Sequence, residues 1–428
     1  MPAGLEPADT HPAVRHALEG VTCAALAHAC GTPLHVYSAS MIRARIGELQ
    51  AALAGLDALV CYAVKANPVR AILALMAEAG LGADVVSAGE MQRALAAGIP
   101  AGRIVFSGVG KQSGEIDQAL AAGIARFNVE SRDELEFLQR RAADAGTLAT
   151  ASVRINPDVD AGTHAKISTG RRGDKFGVGF DEARHWFASA ATRPAVRLDG
   201  LHVHIGSQIL DPAPFATAFA RVDAFRRELE QAGQRVACID IGGGAGVRYR
   251  EGDVALSAEA WIGAARAAIA GFGGRLLLEP GRWLVAEAGV LLARVIRVKR
   301  SGERDFLVLD AAMNDLQRPS LYDAWHDIVP LVDARRPLRD YDVVGPVCET
   351  GDTFARARRL RECVAGDLVA IEATGAYGAS MASTYNSRPL AAEVLVDRGR
   401  WALVRRRQSF EEMTAGEMPA PAWQGGGA

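Results

Sequence analysis

Val60-Cys61-Tyr62-Ala63-Val64-Lys65-Ala66-Asn67-Pro68 is the stretch from which the fold can be read: a β-rich apolar run closes on a lysine and a proline turn, and Ala-rich sequence of helical spacing follows. The same alternation recurs to about residue 290. Further runs are Ala83–Val86, Ile104–Phe106, Arg126–Val129, Ser152–Ile155, Gly200–His204, Cys238–Ile241 and Leu276–Glu279. Between them lie segments rich in Ala, Leu, Glu and Arg, among them Glu90–Ala97, Ser131–Ala145 and Pro214–Ala232, whose amphipathic spacing suits helices that cover a sheet. Eight such runs over this length predict an α/β fold built on a parallel (β/α)8 barrel of the TIM type.

After Glu287 the texture changes to β-branched runs, Val290–Val298, Phe306–Leu309 and Asp367–Ile371, broken by Gly, Pro and Asp. These predict a C-terminal, mostly antiparallel β domain of sandwich or barrel form. Pro33–Ser38, placed before the barrel, is a further strand expected to cross over and join it. The expected division is an N-terminal segment 1–40 contributing to the β domain, the barrel 41–288, the β domain 289–417 and a disordered Pro/Gly tail 418–428. No internal repeat of fixed period is visible.

A chain of 428 residues with 49% hydrophobic residues and a formal net charge of -2 suits a soluble two-domain protein. That charge gives no electrostatic reason to expect nucleic acid or an anionic membrane as a partner, which leaves small molecules as the expected ligands. The six cysteines are scattered without CxxC pairs, so neither a metal site nor a disulfide framework is expected; most read as buried apolar fillers in a reducing cytosol. Met1–Pro12 lacks the apolar core of a targeting peptide and no apolar run reaches membrane-spanning length. A cytoplasmic location is expected.

In a barrel of this kind the C-terminal ends of the strands meet at one mouth, which turns scattered polar residues into a constellation. Lys65 closes the first run, where desolvation would remove its proton and make it a nucleophile for an aldehyde. Taken alone, a strand-end lysine is more often a solvated charge. Gly242, Gly243 and Gly244 follow the seventh run, and glycines let backbone amides approach a phosphate closely. A dinucleotide fingerprint starting at Gly242 fails, because Val247 stands where its last glycine belongs. Glu279-Pro280-Gly281-Arg282 follows the eighth run, and barrel phosphate sites are often built by the loops after strands seven and eight. A carboxylate at Glu279 set beside a pyridine nitrogen would keep that nitrogen protonated and favour carbanion chemistry. His204 ends the sixth run and is placed to stack on such a ring while Ser207 contacts phosphate, although a lone strand histidine is more often a satisfied core residue. Arg154, at the end of the fifth run, either orients a neighbour or forms an ion pair.

Tyr62–Asn67, His204–Ser207, Gly242–Gly244 and Glu279–Arg282, in this order and at these intervals, resemble the pyridoxal 5'-phosphate (PLP) motifs of the fold-type III decarboxylases, over about Pro33 to Glu412. Gly345–Asp352 and Gly375–Met381 through Tyr385–Pro389 are similar to the diaminopimelate branch. The resemblance implies PLP as cofactor and decarboxylation of meso-2,6-diaminopimelate to L-lysine and carbon dioxide, the last step of lysine biosynthesis. It also implies a homodimer in which the Cys-Glu segment completes the site of the other subunit. Carried over, Lys65 is the Schiff-base lysine and Cys348 the acid that returns a proton to Cα. His204, Ser207, Gly242 to Gly244, Glu279, Gly281, Arg282 and Tyr377 hold the cofactor, Tyr377 contacting substrate as well. Arg282, Arg318 and Tyr322 hold the distal carboxylate through the bidentate geometry a guanidinium provides, and Glu349 receives the distal ammonium.

Taken singly, Cys348 reads as a buried small residue and Arg318 as a surface charge. Arg282 discriminates poorly among decarboxylases, whereas Arg318, Tyr322 and the glutamate after Cys348 are more telling, since ornithine-type relatives usually have aspartate there. The alternative within the resemblance is the same chemistry on ornithine, arginine or D-lysine. A related racemase would place arginine, not Glu279, beside the pyridine nitrogen, and a non-catalytic homologue fits poorly with the retention of Lys65 and Cys348.

Overall fold

The computed structural model describes residues 17–160 and 175–423; the expectations for Met1–Pro12 and for 424–428 lie outside the described residues. Strand β1, Leu34–Ser38, precedes eight parallel strands that close on themselves: β2 Ala58–Ala63, β3 Gly82–Val85, β4 Ile104–Phe106, β5 Arg126–Val129, β6 Ala149–Ile155, β7 Val196–Val203, β8 Cys238–Asp240 and β9 Arg275–Leu278. Neighbours in sequence are neighbours in space, and β9 closes the ring on β2 through Leu276 opposite Ala58. The expected (β/α)8 barrel is therefore present.

The helices between the strands follow from local chemistry. Ser87, Ser131 and Ser257 each accept a hydrogen bond from the amide three residues on, starting the helices Ala88–Ala96, Arg132–Asp144 and Ala258–Ala268. Such a cap contributes about 1 kcal/mol. Inward-facing Trp186, Phe215, Phe219 and Trp261 are almost completely buried and join one apolar core with the barrel strands.

The strands after the barrel are β10 Gly289–Ser301, β11 Arg304–Leu309, β12 Ile328–Pro330, β13 Leu338–Val344, β14 Thr353–Arg361, β15 Leu368–Ile371, β16 Ala392–Asp397 and β17 Arg400–Arg405. They form a second sheet in the order β14-β13-β11-β10-β1-β16-β17, with β15 also on β10 and β12 on β15. Six of its pairings are antiparallel; β11 with β13 and β1 with β16 are parallel. The expected crossover of the N-terminal strand is real: β1 lies between β10 and β16. Its alternation divides its side chains between two cores, Leu34 and Val36 on one side and Tyr37 toward the barrel core.

Two joints bring the second sheet onto the barrel mouth. The backbones at Gly289 and Gly375 cross so closely that a Cβ on Gly375 would lie 1.9 Å from the Val285 carbonyl oxygen. The amide of Tyr377 donates to the Ala66 carbonyl at 2.8 Å, and the Asn67 side chain donates to the Gly375 carbonyl at 3.0 Å. These contacts end β2 at Ala63, so Val64–Ala66 forms a single 3₁₀ turn where the sequence suggests one more strand residue.

Candidate active site

Lys65, His204 and Glu279 lie one or two positions beyond the strand ends, Ser207 and Arg282 four beyond, and all five surround one cavity of about 790 Å³. Lys65, His204, Ser207, Gly244, Glu279, Gly281, Arg282, Arg318, Tyr322 and Tyr377 all line it. Gly242 and Gly243 pack directly beneath. A Cβ on Gly242 would meet the Val203 carbonyl oxygen at 2.4 Å, and one on Gly243 the Glu279 carbonyl oxygen at 2.3 Å. Gly242 and Gly244 have φ of +65° and +101°, so the run combines left-handed backbone with close approach.

Lys65 projects into the cavity with its Nζ 2.6 Å from Asp84 Oδ2, at the end of β3. Burial opposes its charge, but Asp84, Tyr377 and Glu279 raise the ammonium above the usual lysine range. This corrects the expectation that desolvation alone would strip the proton. A neighbouring carboxylate holds the proton, a contact that the β2 sequence does not reveal.

Glu279 is buried at the cavity floor. Its Oε1 accepts from Asn128 Nδ2 at 3.0 Å and Ser107 Oγ at 3.3 Å, and its Oε2 lies 3.1 Å from His202 Nε2. Burial alone would raise this carboxyl; His202 and Lys65 instead hold it well below the carboxylate range. Asp240 lies nearby and is pushed well upward by burial and by Glu279, so Glu279 is the buried carboxyl that carries the charge. His202 is held by the same group. Burial opposes its protonation, yet Glu279 and Asp240 raise it.

His204, one turn of the pleat further on, behaves in the opposite way. Its Nδ1 accepts from the Gly243 amide at 3.1 Å, and burial together with Arg154 and Lys65 lowers it to about 3, so the ring is neutral. Arg154 forms a buried ion pair with Glu130 at 3.1 Å and its guanidinium lies over Phe176. Ser207 accepts from Arg282 at 3.1 and 3.3 Å, which ties the loop after β7 to the loop after β9.

Arg282 also donates to the Tyr249 hydroxyl at 2.5 Å and sits 4.9 Å from the Tyr377 ring centroid. Arg318 is buried rather than a surface charge, lies 4.4 Å from the Tyr249 ring centroid and bonds His326 Nε2 at 2.7 Å. Among the described residues no carboxylate pairs with either guanidinium. Two desolvated cations sharing a cavity and lacking an anion make a site that favours a negatively charged ligand.

Cys348 and Glu349 stand apart. Both are exposed in the turn between β13 and β14, Glu349 accepting from Tyr385 at 3.0 Å and the Cys348 amide donating to Asn386 at 3.3 Å. Neither lines the cavity, so a single chain does not unite them with Lys65. The reading of Cys348 as a buried filler fails, although Cys23, Cys61, Cys238 and Cys363 are buried.

Asp84, Asn128, His202, Asp240, Tyr249 and His326 were not singled out in the sequence. Asp84 and Asn128 sit on barrel strands near their C-terminal ends, and His202 shares an inward face with His204 two residues on, a signal that strand parity carries. Tyr249 and His326 lie on loops, where no periodicity marks them.

The donor set fits PLP: an amine for an aldehyde, a buried carboxylate for a ring N–H, a neutral imidazole for a ring face, and glycine backbone with Ser207 and Arg282 for a phosphate. The family described as pyridoxal-dependent decarboxylase, pyridoxal binding domain, matches residues 39–286. The chain is 48% identical to the diaminopimelate decarboxylase of Zymomonas mobilis, over 94% of this chain and 96% of that protein. It is 46% identical to the diaminopimelate decarboxylase of Pseudomonas aeruginosa, over 94% and 97%. Among solved structures, the diaminopimelate decarboxylase of Helicobacter pylori complexed with L-lysine superposes with a TM-score of 0.89 at 41% identity, covering 92% of this chain and 98% of that one.

Proposed function

The chain belongs to the pyridoxal-dependent decarboxylase family, in its diaminopimelate branch, and from that premise we propose how its residues divide the reaction. Its activity is the PLP-dependent removal of carbon dioxide from meso-2,6-diaminopimelate to give L-lysine, a carbon-carbon lyase reaction. The observation that carries the division of roles is the pair of buried guanidiniums, Arg282 and Arg318, which have no carboxylate partner among the described residues and share the cavity with Lys65 and Glu279.

When bound, PLP supplies an aldehyde that captures an amine and a protonated pyridine ring that accepts the electron pair left by the departing carboxylate. Lys65 would be the amine that holds it between turnovers, and Asp84, 2.6 Å from Nζ, is placed to take the proton that the nitrogen must lose first. Glu279, held anionic by His202, would take the ring nitrogen and keep its proton in place. Neutral His204 supports the ring face. Gly244, with Ser207, Gly281, Arg282 and Tyr377, would receive the phosphate, while Gly242 and Gly243, whose amides bond Asp240 and His204, shape the loop beneath it. Arg282, Arg318 and Tyr322 hold the distal carboxylate, and Tyr377, on the cavity wall, contacts the substrate. Specificity follows because two buried cations left unpaired penalise a substrate without that second carboxylate.

The remaining groups come from a second copy. The partner subunit's Cys348 returns a proton to Cα after carbon dioxide leaves, and the partner subunit's Glu349 receives the distal ammonium. Exposure of this turn in the single chain supports a homodimeric reading. Among the described residues no helix is long and apolar enough to cross a membrane, and the six free thiols suit a cytoplasmic setting.

Carbon dioxide release by the PLP-loaded protein from meso-diaminopimelate, with ornithine, arginine and D-lysine in parallel, tests the substrate. Preference for diaminopimelate, with lysine as product, is expected. Preference for a monocarboxylate would overturn the roles given to Arg282, Arg318 and Tyr322.

A further inference from the structure

Arg318 owes its geometry to a residue that does not line the cavity. His326 lies behind it, 1% exposed, at the entry to β12. Its Nδ1 is 2.7 Å from the Glu372 carbonyl oxygen and its Nε2 is 2.7 Å from Arg318 Nη1. A carbonyl only accepts and a guanidinium only donates, so the ring carries its hydrogen on Nδ1 and offers a lone pair at Nε2. No other assignment satisfies both contacts.

The ring is also fixed mechanically. His326 and Glu372 flank the pairing of Ile328 with Ile371, so the carbonyl that sets the tautomer belongs to the same ladder as the histidine. The His326 carbonyl accepts from Arg358 at 3.0 Å, and Tyr249 packs edge-on against the imidazole with ring centroids 5.1 Å apart. Burial, with Arg318 adjacent, lowers the imidazole to about 3, consistent with the geometric assignment.

A carboxylate in this position would orient Arg318 equally well but would cancel its charge. A neutral acceptor orients the guanidinium and leaves the charge for something else. Taking the substrate assignment above as its basis, we infer that His326 is the positioning residue that reserves Arg318 for the distal carboxylate, by accepting a hydrogen bond while remaining uncharged. Arg282 is treated in the same way, its guanidinium resting on the Ser207 and Tyr249 hydroxyls rather than on an acid. The cavity thus presents two oriented cations to one carboxylate.

Two ligands isolate this function. Since the product is L-lysine, the carboxylate it retains is the distal one of the substrate, whereas 1,5-diaminopentane has the same chain and amines without it. Equilibrium binding of both is measured by calorimetry on the PLP-loaded dimer. In His326→Leu, L-lysine is expected to bind roughly 10- to 100-fold more weakly, the range of one hydrogen bond to a charged group, with diaminopentane binding and the cofactor absorbance unchanged. His326→Gln, which keeps an acceptor, should recover most of the loss, and KM for diaminopimelate should rise in His326→Leu far more than kcat falls.

An unchanged binding ratio in a folded His326→Leu overturns the inference, as does an equal loss for both ligands, which is the mark of a structural role. Should that variant not fold, His326→Glu decides: its carboxylate pairs with Arg318 and should weaken L-lysine at least tenfold, so that unchanged binding again overturns it. If the unsubstituted protein does not itself prefer L-lysine to diaminopentane, the distal-carboxylate reading falls first, and the two failures are thereby distinguished.

Discussion

At the scale of single residues, protonation is set by burial and by the sign of the nearest charge together. His202 and Glu279 are buried and Lys65 faces the cavity, and in each an opposite charge within about 3 Å shifts the group toward its charged form. His204, beside the same cluster, is neutral because burial lowers it and the neighbouring cations Arg154 and Lys65 lower it further. Replacing Lys65 with Ala is expected to abolish the absorbance of lysine-held PLP and to lower turnover by roughly 10³-fold or more; an unaltered spectrum would remove Lys65 from its role. Glu279→Gln keeps the side-chain volume but removes the anion proposed to partner the ring nitrogen. Turnover should fall by roughly 10²- to 10⁴-fold with the cofactor still bound, and steady-state kinetics beside an absorbance titration with PLP separate the two effects. Lys65, Glu279 and His204 were legible in the sequence because each ends an apolar run. His326 was not, since what distinguishes it is a carbonyl forty-six positions away.

At the scale of elements, the site is held by places where backbones nearly touch. The glycine run after β8 is wedged between the ends of β7 and β9, with the Gly243 Cα facing the Glu279 carbonyl. Gly243→Ala would put a methyl 2.3 Å from that oxygen, and backbone on both sides leaves little room to yield. A stability loss of about 1–3 kcal/mol is expected, together with weaker PLP binding, read as a smaller rise in melting temperature on adding the cofactor. Ser131→Ala is the control. It removes the cap of a helix on the barrel exterior, costs about 1 kcal/mol, and should leave the PLP-induced rise intact.

At the scale of the whole molecule, the expected cofactor groups line the cavity, except Gly242 and Gly243, and Cys348 and Glu349 lie outside it. Mixing inactive Lys65→Ala and Cys348→Ala subunits should restore part of the activity through hybrid dimers, and no recovery despite demonstrated subunit exchange would count against a shared site. The fold also stores neutral imidazoles. His35 is lowered to about 4, and His204 and His326 to about 3, with burial the leading cause in each. Their folded values lie below the unfolded one near 6.5, so the unfolded chain binds the extra protons and stability falls as pH drops through 6.5 toward 5. The loss is about 2 kcal/mol for each histidine at pH 5. Buried carboxyls that are pushed up, such as Asp315 to about 6, act in the opposite sense over part of this range. Scanning calorimetry of the cofactor-free protein should therefore give a melting temperature that declines from pH 7 to 5.5, and a rise would contradict the buried-histidine account.

The linear chain alone determined the barrel, the β-rich second sheet, the crossover of β1 and the cofactor motifs, because apolar periodicity and glycine-bearing turns act over a few residues and are written locally. It did not determine which charges survive burial, how Arg318 is oriented, or on which side of the molecule Cys348 emerges. Those depend on which distant segments come within about 3 Å of one another, and a Coulomb interaction or hydrogen bond at that range outweighs any local preference. Thus the identity of the reacting groups belonged to the sequence, and their protonation and aim belonged to the tertiary structure.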